Sequence, residues 1–268
     1  MAVTTAGAAL TVAEQQATSK LGLLYAALAL RLWSAYAKSD DIDATAAKVF
    51  ELLIPQILKG RRQNAATARR YYQTFRIAET PEKAVWTPPA DLPDLDRTIL
   101  DTSLRVTGPV AFKKSILRIS GADLTPEVER ALTQSILKDA GKSMAAAVTR
   151  HVNDGARQEV LANTKVDPVA LGFMRVTKSG RPCYFCAMLA SRGPVYGQES
   201  FSSSDPRFVG DGVAKAHDNC ACVLEPVFSR ATNVPDLSKQ ASEIWGSATK
   251  GKGGKAAVNA FRIAWDNR

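Results

Sequence analysis

Histidine is scarce in this chain, which contains only His151 and His217 among its 268 residues. Two hydrolase motifs are also missing, the G-x-S-x-G turn of a serine nucleophile and the H-E-x-x-H helix of a zinc peptidase. A nucleophilic serine needs a base beside it, most often histidine. His217 stands within a cysteine cluster, and His151 is predicted to be a half-exposed surface residue in mid-helix. The sequence therefore disfavours a histidine-dependent protease, whereas a Ser–Lys dyad stays open.

Signals for secretion and membrane insertion are missing as well. Residues 1–19 contain no Lys or Arg, so the positively charged start of a secretory signal is not found there. The apolar run 21–33 is shorter than the roughly 20 residues that span a bilayer, and Arg31 interrupts it. We expect a chain that makes no contact with membranes and is produced in a reducing cytosol, where structural disulfides are rare.

Cysteine is confined to one short segment, which follows the pattern C-x₂-C and later H-x₂-C-x-C. The candidate metal ligands of this segment are Cys183, Cys186, His217, Cys220 and Cys222. A structural zinc takes four thiolate or imidazole ligands, whereas a catalytic zinc has three and an open position. Five candidates predict one closed, structural zinc per chain, with either of the last two cysteines as a ligand. Disulfide pairing and unliganded thiols are the alternatives.

Apolar periodicity predicts a mainly α-helical chain with a small α+β module. A Thr11–Glu14 capping box should begin the first helix after loosely held residues 1–9, and Gly60 should separate a second helix from a third. Thr125 should begin a helix about 60 Å long, while 173–177 and 222–228 are predicted strands. The predicted organisation is an N-terminal helical bundle (1–80), a proline-rich strap and helix (81–124), a long helix (125–165), a metal-binding module (166–230) and a basic helical tail (231–268).

Positive charge dominates the chain, whose formal net charge is +9. Six basic residues and no acidic one occur from Lys59 to Arg76, and Tyr71, Tyr72 and Phe75 are interleaved with them. The six are Lys59, Arg61, Arg62, Arg69, Arg70 and Arg76. This pattern fits a solvated helix face with its aromatic rings turned inward. It also fits a face that contacts DNA phosphates or an acidic protein.

The cysteine-containing segment resembles the Mu F-like minor head proteins of tailed bacteriophages. The resemblance is carried by residues 175–186, by 193–196 and by the ending His217-Asp-Asn-Cys-Ala-Cys222. Asp218 stands where the family usually has proline, and Ala221 replaces a basic residue, but neither change removes a ligand. The helical half, with 69–76 ending its third predicted helix, is similar to portal-adjacent proteins of actinobacterial phages.

This resemblance implies a structural minor capsid protein that acts beside the portal in head assembly or DNA delivery. Its expected partners are the portal protein and other head proteins. Packaged DNA is a further candidate partner, contacted through the basic segment. Its expected location is the virion interior near the portal, after assembly in the host cytoplasm. Some of these proteins are labelled capsid maturation protease, which is the alternative function.

Overall fold

The computed structural model describes residues 2–80, 86–177, 182–194, 218, 220–231 and 233–268. The predicted fold class, mainly α with a small two-stranded sheet, is confirmed. The helices are α1 (Thr5–Tyr36), α2 (Ile42–Glu79), α3 (Arg97–Thr107), α4 (Pro109–Ile119), α5 (Pro126–Val166), α6 (Tyr184–Ala190), α7 (Asp236–Ala248) and α8 (Gly254–Asp266), and the strands are β1 (Gly172–Val176) and β2 (Val223–Val227).

Helix α1 begins earlier than its sequence predicts. Thr4 is the N-cap and accepts a hydrogen bond from Gly7 N. Glu79, the last residue of α2, also accepts hydrogen bonds from the backbone N–H groups of residues 3 and 4. The predicted capping box at Thr11 and Glu14 is therefore wrong, as is the expectation that 1–9 are loosely held. Thr11 and Glu14 lie within α1 and their side chains are buried against other parts of the fold, so tertiary contacts override the local capping pattern.

Helix α2 is a single helix of 38 residues, so the predicted break at Gly60 is wrong. Gly60 instead makes room for a neighbouring helix, because a Cβ there would lie 2.6 Å from Cε2 of Tyr25 on α1. Gly155 of α5 has the same role against α2. Its Cβ would lie 2.3 Å from the carbonyl oxygen of Arg61. The missing side chains allow these helices to approach closely.

Helix α5 is unbroken over 41 residues and, at 1.5 Å per residue, is about 60 Å long, as predicted. The Thr125 hydroxyl caps it by accepting from Val128 N, and Pro126 fills its first turn. Helices α1, α2, α3 and α4 all pack against it, and so do both strands. Because α5 contacts both parts of the fold, it connects the helical bundle to the cysteine-containing part.

Two apolar cores lie along α5. The first core lies among α1 to α4 and the N-terminal half of α5, and includes Trp33, Phe50, Leu53, Leu104 and Met144. The second lies where the C-terminal half of α5 meets the sheet, α6 and the last two helices, and includes Tyr72, Phe75, Val160, Phe173, Leu224, Phe261 and Trp265. In the part of the chain that the structure describes, no helix is both long enough and apolar enough to cross a bilayer.

The two strands pair in antiparallel register, with Gly172 opposite Val227 and Val176 opposite Val223. They lie within one residue of the predicted strands. All ten strand residues are buried, so both faces of this small sheet are covered. Such coverage is needed because two strands alone are marginally stable in water.

Candidate metal centre

Three cysteine side chains converge where α6 meets the segment before β2. The Sγ atoms of Cys186, Cys220 and Cys222 all lie within 4.8 Å of one another. Cys186 Sγ is 3.5 Å from Cys220 Sγ, which is 2.9 Å from Cys222 Sγ. All three cysteines are buried and in the reduced form. We call these three side chains the thiol cluster. Three converging sulfur ligands could bind a soft or borderline metal ion.

Cys183 lies at the edge of the thiol cluster and is exposed. It is the N-cap residue of α6, where its Sγ accepts a hydrogen bond from Cys186 N at 3.4 Å. The C-x₂-C spacing therefore forms a turn in which the first sulfur faces the second. His217 lies outside the described residues. Of the five predicted ligands the structure thus brings three together, including both Cys220 and Cys222, between which the sequence could not choose.

The three thiols do not share the same acidity. Hydrogen bonds from Cys186 and Cys220, followed by the charges of Arg175 and Arg157, hold the pKa of Cys222 well below its usual range. Hydrogen bonding to Cys183 and to the other two thiols raises the pKa of Cys186. Of the three sulfurs, Cys222 is therefore the one whose deprotonated form is most favoured. A metal ion that displaces the thiol protons would satisfy all three sulfurs.

Two buried arginines surround the thiol cluster, and sequence reasoning missed them as part of the site. Arg157 of α5 donates from Nε to Cys222 O at 3.0 Å and from Nη2 to Cys220 O at 2.7 Å. Arg175 of β1 donates from Nη1 to Cys222 Sγ at 2.6 Å. Both are at most 3% exposed. Arg157 lies 26 residues before Cys183, and Arg175 lies eight residues before it in the segment that carries the resemblance, but no ligand pattern marked either arginine as a neighbour of the cluster.

Asn153 fixes the same segment to the helices. Its Nδ2 donates to Cys220 O at 3.0 Å, and its Oδ1 accepts from Asn64 Nδ2 of α2 at 3.4 Å. Gly22 of α1 leaves room for this amide, because a Cβ there would lie 2.6 Å from Asn153 Oδ1. One side chain on α5 therefore contacts α1, α2 and the cysteine segment together.

His151 is buried and only 2% exposed, which corrects the prediction of a half-exposed surface histidine. Its Nε2 lies 2.8 Å from Ser103 Oγ on α3. Burial, then the charges of Arg150 and Arg61, lower the pKa of His151 to about 3. A general base must accept a proton in the transition state, and this environment disfavours the imidazolium. His151 is therefore a poor acceptor for a proton from Ser103, and the contact between the two side chains joins α3 to α5.

The predicted basic segment divides into internal and exposed residues. Arg61 donates to His151 O and to Gln158, Arg69 pairs with Glu159, and buried Arg76 pairs with Asp167. Lys59, Arg62 and Arg70 are exposed. The interleaved rings of Tyr71, Tyr72 and Phe75 are buried. Three of the six cations thus stabilise the packing of α2 against α5 and against the C-terminal end of α5. The other three face solvent.

Comparison with known proteins gives one match. Residues 6–245, from α1 into α7 and including every cysteine, match the VG15 protein family. No curated protein and no solved structure matches the chain. The match covers the helical bundle, the thiol cluster and both arginines beside it. The chain therefore belongs to the VG15 protein family, a family of phage proteins.

Proposed function

We propose that this chain is a structural minor head protein of a tailed phage. In this role it acts next to the portal, during head assembly or DNA delivery, and resides inside the virion. Membership of a phage protein family supports the origin, and the Mu F-like cysteine segment supports the place in the head. The observation that carries a structural role is the buried thiol cluster, which brings α6 together with the segment before β2.

The proposed ion of the thiol cluster is zinc. Cys186, Cys220 and Cys222 would supply three thiolates, and Cys183 or His217 the fourth ligand. Zinc prefers such a tetrahedral sulfur-rich set and has no redox chemistry. The three sulfurs are buried, and four protein ligands would leave no open position on the ion for water or a substrate. Such an ion would therefore stabilise the fold rather than activate water.

Metal analysis of the purified full-length chain tests the ion. We expect close to one zinc per chain after purification without chelators. Folded protein that is metal-free and has four titratable thiols would contradict the proposal. A mass increase of the denatured protein on reduction would instead establish disulfide pairing. Mass spectrometry of purified virions and heads tests the location, and absence of the chain from both would contradict a head protein.

The proposed contact surface contains three of the six cations that the sequence places in the basic segment. Lys59, Arg62 and Arg70 are exposed on α2, where Arg62 pairs with exposed Asp94 at 2.7 Å, and we propose that an acidic portal surface or packaged DNA contacts these cations. Reversing these three to Glu should block incorporation into heads without changing helix content. If DNA is the partner, affinity of the unaltered chain should fall steeply with salt, because each neutralised phosphate releases about one counterion.

The matched control carries the same charge reversal elsewhere. Lys113, Lys114 and Arg118 are exposed on α4, so their reversal to Glu changes net charge equally. Incorporation of the control, but not of the α2 variant, would support a specific surface. Equal incorporation of both would show that the α2 cations are only solvated.

A capsid maturation protease is the second candidate, since Ser103 Oγ and His151 Nε2 are within hydrogen-bond distance. The lowered pKa of His151 weakens it as a base. Co-expression with the major capsid and scaffold proteins should therefore leave both at full length. Specific cleavage that Ser103→Ala abolishes would overturn this expectation.

A further inference from the structure

We propose that Arg157 and Arg175 are positioning residues that compensate the negative charge of the metal–thiolate complex. By doing so they set the affinity of the thiol cluster for a divalent ion. The inference rests on the metal centre proposed above. It concerns side chains that coordinate no metal themselves and that the ligand motif does not include.

Arg175 acts on a sulfur directly. Its Nη1 donates to Cys222 Sγ at 2.6 Å from a strand residue that is 3% exposed. A guanidinium stays protonated in proteins, and a buried charge is costly unless it is paired. A thiolate at Cys222 supplies a negative charge at this contact, whereas a neutral thiol does not. The contact therefore places a fixed positive charge against a sulfur of the thiol cluster, where it would offset the negative charge of a metal–thiolate complex.

Arg157 acts on the backbone that carries the last two cysteines. Its guanidinium bonds both Cys220 O and Cys222 O, so one rigid group fixes the carbonyls on either side of Ala221. Asp154, one turn earlier on α5, pairs with Arg157 Nη1. This contact orients the guanidinium and offsets one of the two positive charges.

The charges of these groups match a divalent ion. Arg157, Arg175 and Asp154 together carry one net positive charge. Three thiolates around a divalent ion carry one net negative charge, so these groups balance when the fourth ligand is neutral, and one negative charge is left over when Cys183 supplies a fourth thiolate. With a monovalent ion the same three thiolates would carry two negative charges and leave one uncompensated. For the same set of thiolates, a divalent ion therefore leaves one negative charge fewer for these side chains to compensate than a monovalent ion such as Cu⁺.

Metal affinity of full-length variants tests the proposal. Arg175→Met keeps most of the apolar stem of the side chain but removes the guanidinium and its charge. We expect Zn²⁺ affinity, measured by competition with a chromophoric chelator, to fall about 10- to 100-fold, the range for groups that support metal ligands. Arg175→Lys retains the charge and should recover part of this loss. In the Co²⁺-loaded protein, the sulfur-to-metal charge-transfer band should shift in Arg175→Met.

The matched control is Arg76→Met, which removes a buried arginine that pairs with Asp167 away from the cysteines. Its thermal stability should fall, but its Zn²⁺ affinity and Co²⁺ spectrum should match the unaltered chain. Unchanged affinity in a folded Arg175→Met protein would overturn the proposal and leave the metal centre intact. An equal loss in Arg76→Met would assign the effect to general destabilisation and also overturn it. Failure of the unaltered chain to bind Zn²⁺ or Co²⁺ would overturn the metal centre itself, and this inference with it.

Discussion

The two cores of this molecule differ in how many charged side chains are buried in and around them. The core among α1 to α4 and the first half of α5 is built mostly from apolar side chains such as Phe50, Leu53 and Met144, although Arg61 and His151 are buried beside it. The part around the sheet instead buries Arg157, Arg175 and Glu225 together with the three cysteines. Apolar burial stabilises the first core without partners, whereas each buried charge in the second requires one. The helical bundle should therefore fold on packing alone, and the cysteine-containing part should depend on its polar and metal contacts.

Loss of the metal should have the largest effect, and we expect it to affect the cysteine-containing part much more than the helical bundle. Cys222→Ser removes both a ligand and the acceptor of Arg175, so we expect loss of metal binding and of packing around β1, β2 and α6. Structural zinc sites contribute on the order of 10 kcal/mol of binding free energy, which this variant would forfeit. Hydrogen exchange should show lost protection in the strands, with α1, α2 and the first half of α5 still protected.

Cys183→Ser is the matched variant, because it leaves the thiol cluster complete. It should retain metal at reduced affinity and keep the strands protected. Global unfolding of Cys222→Ser, with loss of protection in α2 as well, would show that the bundle also needs the metal.

The close helix contacts of the bundle predict a second, smaller effect. Gly155→Ala would place a methyl group against the carbonyl of Arg61, which is backbone and cannot swing away. We expect a loss of about 3 kcal/mol in the free energy of unfolding, as in overpacked cores. Chemical denaturation measures this loss. Zn²⁺ affinity should stay within twofold if the bundle and the thiol cluster are energetically separate.

Gly246→Ala in α7 is the control, since nothing lies within 4 Å of an added Cβ there. It should raise stability by about 0.5–1 kcal/mol, because alanine favours the helix. Equal destabilisation by both changes would contradict a steric origin.

Two buried titratable groups should respond to pH in opposite directions. The folded-state pKa of His151 is about 3, below its ordinary 6.5, so its contribution is complete above pH 6.5 and is lost as pH falls. Burial raises the pKa of Glu14 to about 7 from 4.5, so its contribution is complete below pH 4.5 and is lost as pH rises towards 7. Between these limits the two effects partly cancel.

Single substitutions should expose each effect. Glu14→Gln should lose about 2 kcal/mol of stability between pH 6.5 and pH 5, from about 1.4 kcal/mol per unit for His151 alone. His151→Gln should instead gain stability over the same range. Denaturation curves at several pH values measure both. Identical pH profiles for the two variants would contradict this assignment.

Local signals in the sequence predicted the fold better than the site. Thr125-Pro126 begins α5 as predicted, because capping acts within one turn. Gly60 was misjudged because its role is to admit Tyr25 from another helix, which no local pattern encodes. Likewise Thr11 looked like a cap but bonds Tyr71 and Glu225, distant in the chain.

The cysteine spacing predicted the thiol cluster because cysteines paired at short spacings are typical of metal ligands. Cys186, Cys220 and Cys222 fall in one recognisable motif, and their convergence follows from it. Arg157 and Arg175 come from α5 and β1, and only the packing of those elements brings them to the sulfurs. A ligand motif identifies candidate donors, whereas the groups that set their charge are found only in three dimensions.

The side-chain amide of Asn153 offers an NMR reporter that needs no attached probe. It is fully buried, bonds Cys220 O on one side and accepts from Asn64 of the bundle on the other. Its side-chain NH₂ resonances should therefore move when an ion enters the thiol cluster. Loss of bundle structure should broaden or abolish them. One pair of NMR signals would then follow metal loading and bundle integrity in the same sample.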